Sequence, residues 1–235
     1  MKRIGIIFLL FSSVLIGVIF HSCKGGLFDR RISEGMIEFD VTYPSINRDD
    51  MLAGLMPTSM TTKFKNNQLV VELSAGMGMF KTNFISNSND YYLINSVKLI
   101  NKKYATRLNR EEVYKMNEKY KKFYISKLDE TKEIAGYKCK KALIVFDDVA
   151  NESFYVYYTD EIKYKDPNWS NVFKDIDGVL LEYQMERYNI LMKFTAKSVT
   201  KAKIDDSEFK LSSDYENLTL ADLEKEINAI FDTFK

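Results

Sequence analysis

Residues 179–200, with the sequence VLLEYQMERYNILMKFTAKSVT, decide the fold of this chain. Apolar and polar side chains alternate through both halves of the stretch, a period of two that is typical of β-strands with one buried face. The apolar positions are Val179, Leu181, Tyr183 and Met185 in the first half, and Ile190, Met192, Phe194 and Ala196 in the second. Tyr188 and Asn189 stand between the halves and suit a tight turn. The stretch therefore predicts a hairpin of two long antiparallel strands.

The same alternation recurs along most of the chain before residue 160, with connections of about 2–6 residues, as an antiparallel meander requires. Further strands are predicted at 37–43, 60–65, 68–73, 80–86, 91–97, 103–108, 122–128, 137–146 and 153–159. Few connections are long enough for the crossovers of a parallel sheet. We therefore predict a mainly β (α+β) fold built on one strongly curved antiparallel sheet.

Helical periodicity is limited to three segments, which gives two or three accessory helices. Asn109 is a suitable N-cap for a helix that reaches about residue 119. Thr219, with Asp222 three residues later, begins a C-terminal helix with apolar residues at helical spacing up to Phe234. A short apolar helix is predicted at 49–56, where Pro57 ends it.

The N-terminus has the pattern of an export signal. Lys2 and Arg3 precede an uncharged run over 4–20, the usual pattern of a secretory signal. Ser22-Cys23 at its end resembles a bacterial lipobox, in which the cysteine is linked to diacylglycerol and becomes the new N-terminus. A permanent transmembrane helix and ordinary secretion are the alternatives, because the apolar run is about as long as a short membrane span. We predict a signal peptide at 1–22, a tether at 23–32 and a single β-rich domain at 33–235.

A lipid on Cys23 predicts a location as well as an anchor. Two acyl chains suffice for stable membrane attachment without a spanning segment. By resemblance to the enterobacterial sorting rule, Asp directly after the lipidated cysteine would retain a lipoprotein in the inner membrane. Residue 24 is Lys instead, so the outer membrane is favoured. Residues 24–28, directly after Cys23, include no acid, which favours the periplasmic face. The predicted partners are the membrane, through this anchor, and an acyl chain or other hydrophobic ligand.

Composition excludes several classes of function. The chain has 235 residues with 34 Lys+Arg, 33 Asp+Glu and one histidine. Cleavage before Cys23 removes that histidine, His21, so the mature chain has no Ser-His-Asp or Cys-His site and no histidine-bound zinc. A nearly neutral chain also argues against a nucleic-acid partner. We predict a protein that is not an enzyme and that has no cofactor, no metal and no catalytic residue.

Charged residues occur in clusters that have both a structural and a functional interpretation. The acidic pairs are Asp49-Asp50, Asp147-Asp148, Asp160-Glu161, Asp175 with Asp177, and Asp205-Asp206. Each follows the end of a strand pattern, so we interpret them as turn residues, with calcium binding or catalysis as the alternatives. Clustered lysines, such as Lys138, Lys140 and Lys141, indicate a solvated sheet face or a surface for anionic lipids.

With Cys23 acylated, Cys139 has no partner for a disulfide. Alternation places Cys139 on the same side of its strand as Leu143 and Val145. Free cysteine is among the most buried residue types, which favours a small core residue. A redox or nucleophilic thiol is the alternative, although no histidine is present to activate it.

Methionine is concentrated in one region, at Met51, Met56, Met60, Met77 and Met79. A flexible, polarizable side chain suits either core packing or the lining of an apolar cavity, and copper(I) binding is a third interpretation. Segment 49–56 is too short and apolar to be a stable isolated helix, so it must cover apolar surface. We predict that it forms a lid with residues 77–80. The lid residues are Met51, Leu52, Leu55, Met56, Met77 and Met79.

The second half of the chain contains an ordered set of motifs: TKEIAGYKCKKA at 131–142, YYTDEI at 157–162, DGVLLE at 177–182 and DSEF at 206–209. This order resembles an uncharacterised family of exported proteins and lipoproteins of the Bacteroidota, with domains of unknown function near the GLPGLI group. The resemblance covers about residues 33–215 and implies no catalytic residue.

Such domains are similar in architecture to the LolA and LolB lipoprotein carriers. The resemblance implies a sheet curled into an unclosed barrel, with helices that plug its concave side, and an acyl chain or other hydrophobe held there. The alternative is a structural or interaction lipoprotein whose curved sheet is filled by its own helices.

Overall fold

The computed structural model describes residues 31–46, 54, 56–78, 80–150, 152–188 and 190–232, except for the side chains of Met77 and of 230–232. The decisive stretch forms the predicted hairpin, with β10 (Val179–Arg187) antiparallel to β11 (Ile190–Thr200). Arg187 pairs with Ile190, which leaves a two-residue connection. Tyr188 has a φ of 54°, the left-handed conformation that such hairpin turns favour.

Twelve strands of the described residues join in one sheet. The remaining strands are β1 (Glu34–Thr42), β2 (Ser59–Lys65), β3 (Gln68–Ala75), β4 (Phe80–Asn87), β5 (Tyr92–Leu99), β6 (Lys102–Asn109), β7 (Phe123–Ile134), β8 (Tyr137–Phe146), β9 (Ser153–Thr159) and β12 (Glu216–Asn217). Their order is β12-β6-β5-β4-β3-β2-β1-β11-β10-β9-β8-β7. All neighbours are antiparallel except β6 and β12. The sheet is not closed, as predicted, and β1 lies between two meanders.

Contacts between strands that are distant in the sheet show how strongly it curves. In a flat sheet, β4 and β10 would lie about 24 Å apart, because β3, β2, β1 and β11 separate them. Instead, the guanidinium carbon of Arg187 on β10 lies 4.6 Å from the centre of the Phe84 ring on β4. We call the face on which these two side chains meet the concave face, and its opposite the convex face.

Both α-helices of the described residues pack on the concave face. Val113 and Met116 of α1 (Arg110–Asn117) pack with Leu93 and Leu108, while α2 (Leu220–Asp232) packs on Val97 through Leu223 and Ile227. Neither helix has the length and hydropathy that a membrane span would need.

The predicted helix caps are confirmed. The N–H of Glu112 donates to Asn109 Oδ1 at 3.0 Å, and the N–H of Asn109 donates back to the Glu112 carboxylate at 2.8 Å. The N–H of Asp222 likewise donates to Thr219 Oγ1 at 3.2 Å. These bonds satisfy backbone donors that have no partner within the helix.

The segment after β11 covers the convex face. Ile204 and Phe209 pack there against Val70 and Ile85. The chain then adds β12 to the edge beside β6, and α2 continues onto the concave face. The C-terminal segment therefore wraps around one edge of the sheet.

Two parts of the strand prediction need correction. β7 extends to Ile134 rather than ending at Leu128, with an irregularity between Leu128 and Thr131, because the whole length of β8 is available to pair with it. β12 was not predicted, since two exposed residues carry no alternation. The predicted helix at 49–56 lies outside the described residues except for Gly54 and Met56, as do the predicted signal peptide and residues 23–30 of the tether.

Candidate functional site

A cavity of about 420 Å³ lies on the concave face. This volume falls in the range of pockets that hold small molecules, roughly 300–1,000 Å³. Most of its lining is aliphatic or aromatic and comes from β1 to β5, β10 and β11. Representative lining residues are Ile37, Phe39, Met60, Val71, Phe84, Leu93, Tyr183, Met185, Met192 and Phe194.

Most of the predicted apolar face of the decisive hairpin lines this cavity, but Leu181 does not. An irregularity between Leu180 and Glu182 in the pairing with β9 breaks the alternation, so Leu180 lines the cavity instead. Tyr183 and Phe194 are direct partners in the ladder, and their rings stack with centres 4.8 Å apart.

Burial raises the pKa of Tyr183 well above its usual range. Burial also raises the pKa of Tyr43, whose hydroxyl donates to the Pro57 carbonyl at 2.6 Å. Both phenols therefore stay neutral, and the lining they contribute carries no charge at ordinary pH.

The long connection between β9 and β10, residues 160–178, closes another side of the cavity. Asn168 holds its shape by donating to the carbonyls of Ile176 and Gly178, both at 2.8 Å. Trp169 is buried, and its indole N–H donates to Ser86 Oγ on β4 at 3.2 Å. Pro167, Asn168 and Val172 line the cavity. Sequence reasoning missed this segment, although the one tryptophan of the chain lies in a stretch without strand alternation.

One end of the cavity is charged. Arg187 is half-buried, and it is the only residue with a formal charge among the described residues that line the cavity. Its Nε–H donates to the Tyr120 hydroxyl at 3.0 Å, and its guanidinium lies over the Phe84 ring. Sequence reasoning missed Arg187 as well. The available signal was its position, since residue 187 continues the alternation of Tyr183 and Met185, which line the cavity.

The structure brings one predicted lid residue to the cavity. Met56 lines it, as do Pro57 and the buried Met60. Met51, Leu52, Leu55 and Met79 lie outside the described residues, as does the side chain of Met77. The lid therefore stays a prediction. The anchor residue Cys23 also lies outside the described residues.

Cys139 is a fully buried core residue, as predicted. It belongs to the same core cluster as Ile134 and Leu181, and its thiol lies 3.5 Å from the carbonyl oxygen of Tyr137. Burial raises the pKa of the thiol to about 12. A cysteine that stays protonated at neutral pH is a poor nucleophile, which favours a packing role.

The charged clusters have structural roles at the surface. Lys140 donates to Asp160 and Lys127 to Asp177, each at 2.8 Å, and Asp205 accepts the N–H of Ser207 in a turn. These bonds agree with the interpretation of the acidic pairs as turn residues on a solvated surface. In the described part of the chain, no group of three or more His, Cys, Asp or Glu side chains is arranged to hold a metal ion.

No protein-family model matches the chain, and no curated protein matches it. The functional argument therefore depends on the fold and on the cavity of the concave face.

Proposed function

We propose that this protein binds or carries an apolar ligand, such as an acyl chain, in the cavity of the concave face. In the same proposal, a lipid on Cys23 anchors it at the periplasmic face of the outer membrane. The observation that carries the proposal is the cavity of about 420 Å³ with its largely apolar lining. The resemblance to envelope lipoproteins and to the LolA and LolB carriers leads to the same proposal by analogy.

The size of the cavity argues against a simple packing defect. Protein interiors are close-packed, and voids larger than one water molecule, about 30 Å³ in the liquid, are few. A site of this size lined by Met60, Tyr183 and Phe194 offers dispersion contacts that water cannot use well. An apolar ligand gains those contacts and leaves water at the same time. Binding of such a ligand is therefore the use that the geometry supports best.

The second candidate is a structural or interaction lipoprotein with a self-filled core. The observation in its favour is that α1, α2 and Trp169 already occupy much of the concave face. The volume that remains beside these elements favours a ligand-binding protein instead.

Titration with N-phenyl-1-naphthylamine, a neutral apolar fluorophore, tests the proposal on purified protein. We expect saturable fluorescence enhancement. Thr62→Trp should weaken binding at least ~10-fold, about 1.4 kcal/mol, because Thr62 lines the cavity and a larger ring would fill it. The control is Thr61→Trp, at the neighbouring position on the opposite face of β2. Absence of saturable binding to the wild type, or equal binding by both variants, would contradict the proposed function.

A further inference from the structure

The charge at one end of the cavity indicates which kind of head group the ligand has. Among the described residues, Arg187 forms no ion pair. Its hydrogen bond to a described residue runs from Nε to the Tyr120 hydroxyl. Glu224 is near enough to influence Arg187, but its carboxylate is bound by Lys119 at 2.9 Å. An arginine is protonated at any physiological pH. The cavity therefore contains a permanent positive charge without a carboxylate partner from the described chain.

Several lysines of the protein are paired with a carboxylate, unlike Arg187. Lys65, Lys132 and Lys140 lie within 2.7–2.8 Å of a carboxylate oxygen. Taking a charge out of water costs several kcal/mol unless an opposite charge or hydrogen bonds compensate for it. The Phe84 ring and the Tyr120 hydroxyl compensate Arg187 only in part. An anion bound at the guanidinium would complete the compensation.

The surroundings of Arg187 indicate what else the ligand contains. Met185 and Tyr183 precede it on the same face of β10 and line the cavity, together with their ladder partners Met192 and Phe194. Tyr183 lies four positions before Arg187, about 13 Å along the strand. Among the described residues, the site therefore has a long apolar section that ends at the cation of Arg187.

We propose that the ligand is an anionic amphiphile, an acyl chain that ends in a carboxylate or phosphate, and that Arg187 binds its head group. A guanidinium matches both groups, because its parallel N–H donors bind two oxygens at once. Tyr120 is a positioning residue, since it holds Nε and leaves the other guanidinium nitrogens for the ligand. This inference rests on the proposed function and specifies its substrate class.

Displacement of N-phenyl-1-naphthylamine separates the head group from the chain. Palmitate and hexadecanol have sixteen carbons each and differ in charge. For the wild type, we expect half-displacement by palmitate at a concentration ~10-fold lower than by hexadecanol, equivalent to about 1.4 kcal/mol. In Arg187→Met the ratio should fall to about one, mainly because palmitate binds more weakly. Hexadecyl phosphate distinguishes the two head groups, because the better anionic ligand displaces the probe at the lower concentration.

Arg107→Met is the matched control. Arg107 also lies over an aromatic ring, 3.7 Å from the centre of Tyr92, but it is exposed and does not line the cavity. Its replacement should leave the palmitate-to-hexadecanol ratio unchanged. If Arg187→Met does not fold, as judged by circular dichroism, Arg187→Gln is the second neutral variant and should give the same loss of preference.

The two proposals fail in different ways. A wild type that binds the fluorophore but prefers palmitate no more than hexadecanol overturns the anionic ligand and leaves the proposed function intact. A preference that survives in Arg187→Met or Arg187→Gln overturns the role of Arg187. A wild type without saturable fluorophore binding overturns the proposed function itself.

Discussion

Glu182 is the buried acid of the decisive hairpin. Its carboxylate accepts hydrogen bonds from Lys132 at 2.7 Å and Lys193 at 3.1 Å, which come from the strands β7 and β11. Burial alone would raise the pKa of Glu182, but the two lysines outweigh it and hold the pKa below its usual range. The ionised form is therefore the one that the fold stabilises.

Glu182→Gln should reduce the free energy of unfolding by about 1.5–3 kcal/mol at pH 7, the usual contribution of hydrogen bonds to a charged group. A lowered pKa in the folded state means that this stability is present above the unfolded pKa, about 4.3, and is lost as pH falls through the folded value. Urea unfolding between pH 3 and 7 should show the difference from wild type shrink at low pH. Glu186→Gln, exposed on the same strand, is the control. A difference that does not vary with pH would contradict this account.

Cys139 provides a second test at the residue scale. In a Cys23→Ala background Cys139 is the single thiol. With a pKa of about 12 and full burial, it should react with a maleimide far more slowly in native protein than in denaturant. Cys139→Ala should cost about 1–2 kcal/mol, partly through a small cavity, measured by urea unfolding. Rapid labelling of the native protein would support a redox role instead.

Elements with one buried face were predictable, and elements without one were not. The strand β2 shows alternate burial along its whole length, because its even positions are buried on the concave face and its odd positions are more exposed on the other. The distal part of β7, Asp129–Glu133, is exposed at a sheet edge, and its sequence shows no alternation of apolar and polar residues. It is a strand because β8 supplies partners, with a turn at Ala135 and Gly136 that both adopt positive φ. Pairing rather than local preference decides that element.

The lid belongs to the element scale as well. Leu52→Glu with Leu55→Glu should weaken fluorophore binding more than it lowers the free energy of unfolding. A charge against hydrocarbon costs several kcal/mol unless the segment can turn it toward water, as a lid can and a core helix cannot. Parallel fluorophore titration and urea unfolding check this. A double variant that simply unfolds would identify 49–56 as core.

At the scale of the whole molecule, curvature produces the cavity, and the proposed anchor would determine where in the cell the protein lies. Side chains that are far apart in the sequence, such as Phe84 and Arg187, meet only because the sheet bends back on itself. The chain before the described fold contains the lipobox-like Ser22-Cys23. Two acyl chains there would hold the domain close to its proposed membrane source of ligand.

Cys23→Ala should therefore move the protein from the detergent-soluble membrane fraction to the soluble periplasm, or leave it with an uncleaved signal. Fractionation with immunodetection measures the location, and intact-mass spectrometry measures processing and acylation. Cys139→Ala should remain lipid-anchored and is the control. A Cys23→Ala protein that is processed normally and stays in the membrane would contradict the lipobox interpretation.

The sequence by itself determined the local elements of this protein. Alternation in 179–200 identified a hairpin, and Asn109 and Thr219 identified helix starts, because burial of one strand face and capping involve residues close together in the chain. The candidate site was predicted only in part: among the proposed lid residues, Met56 reaches the cavity.

Only the tertiary structure decided the position of β1 between β2 and β11, the covering of the convex face, and the roles of Trp169 and Arg187. Trp169 is hydrogen-bonded to Ser86, and Arg187 lies over the Phe84 ring and is hydrogen-bonded to Tyr120. All these partners are far away in the sequence. Alternation along a strand indicates which of its faces is buried, but not which residues cover that face. The cavity and the charge of Arg187 at its end therefore appear only when the curved sheet brings these distant residues together.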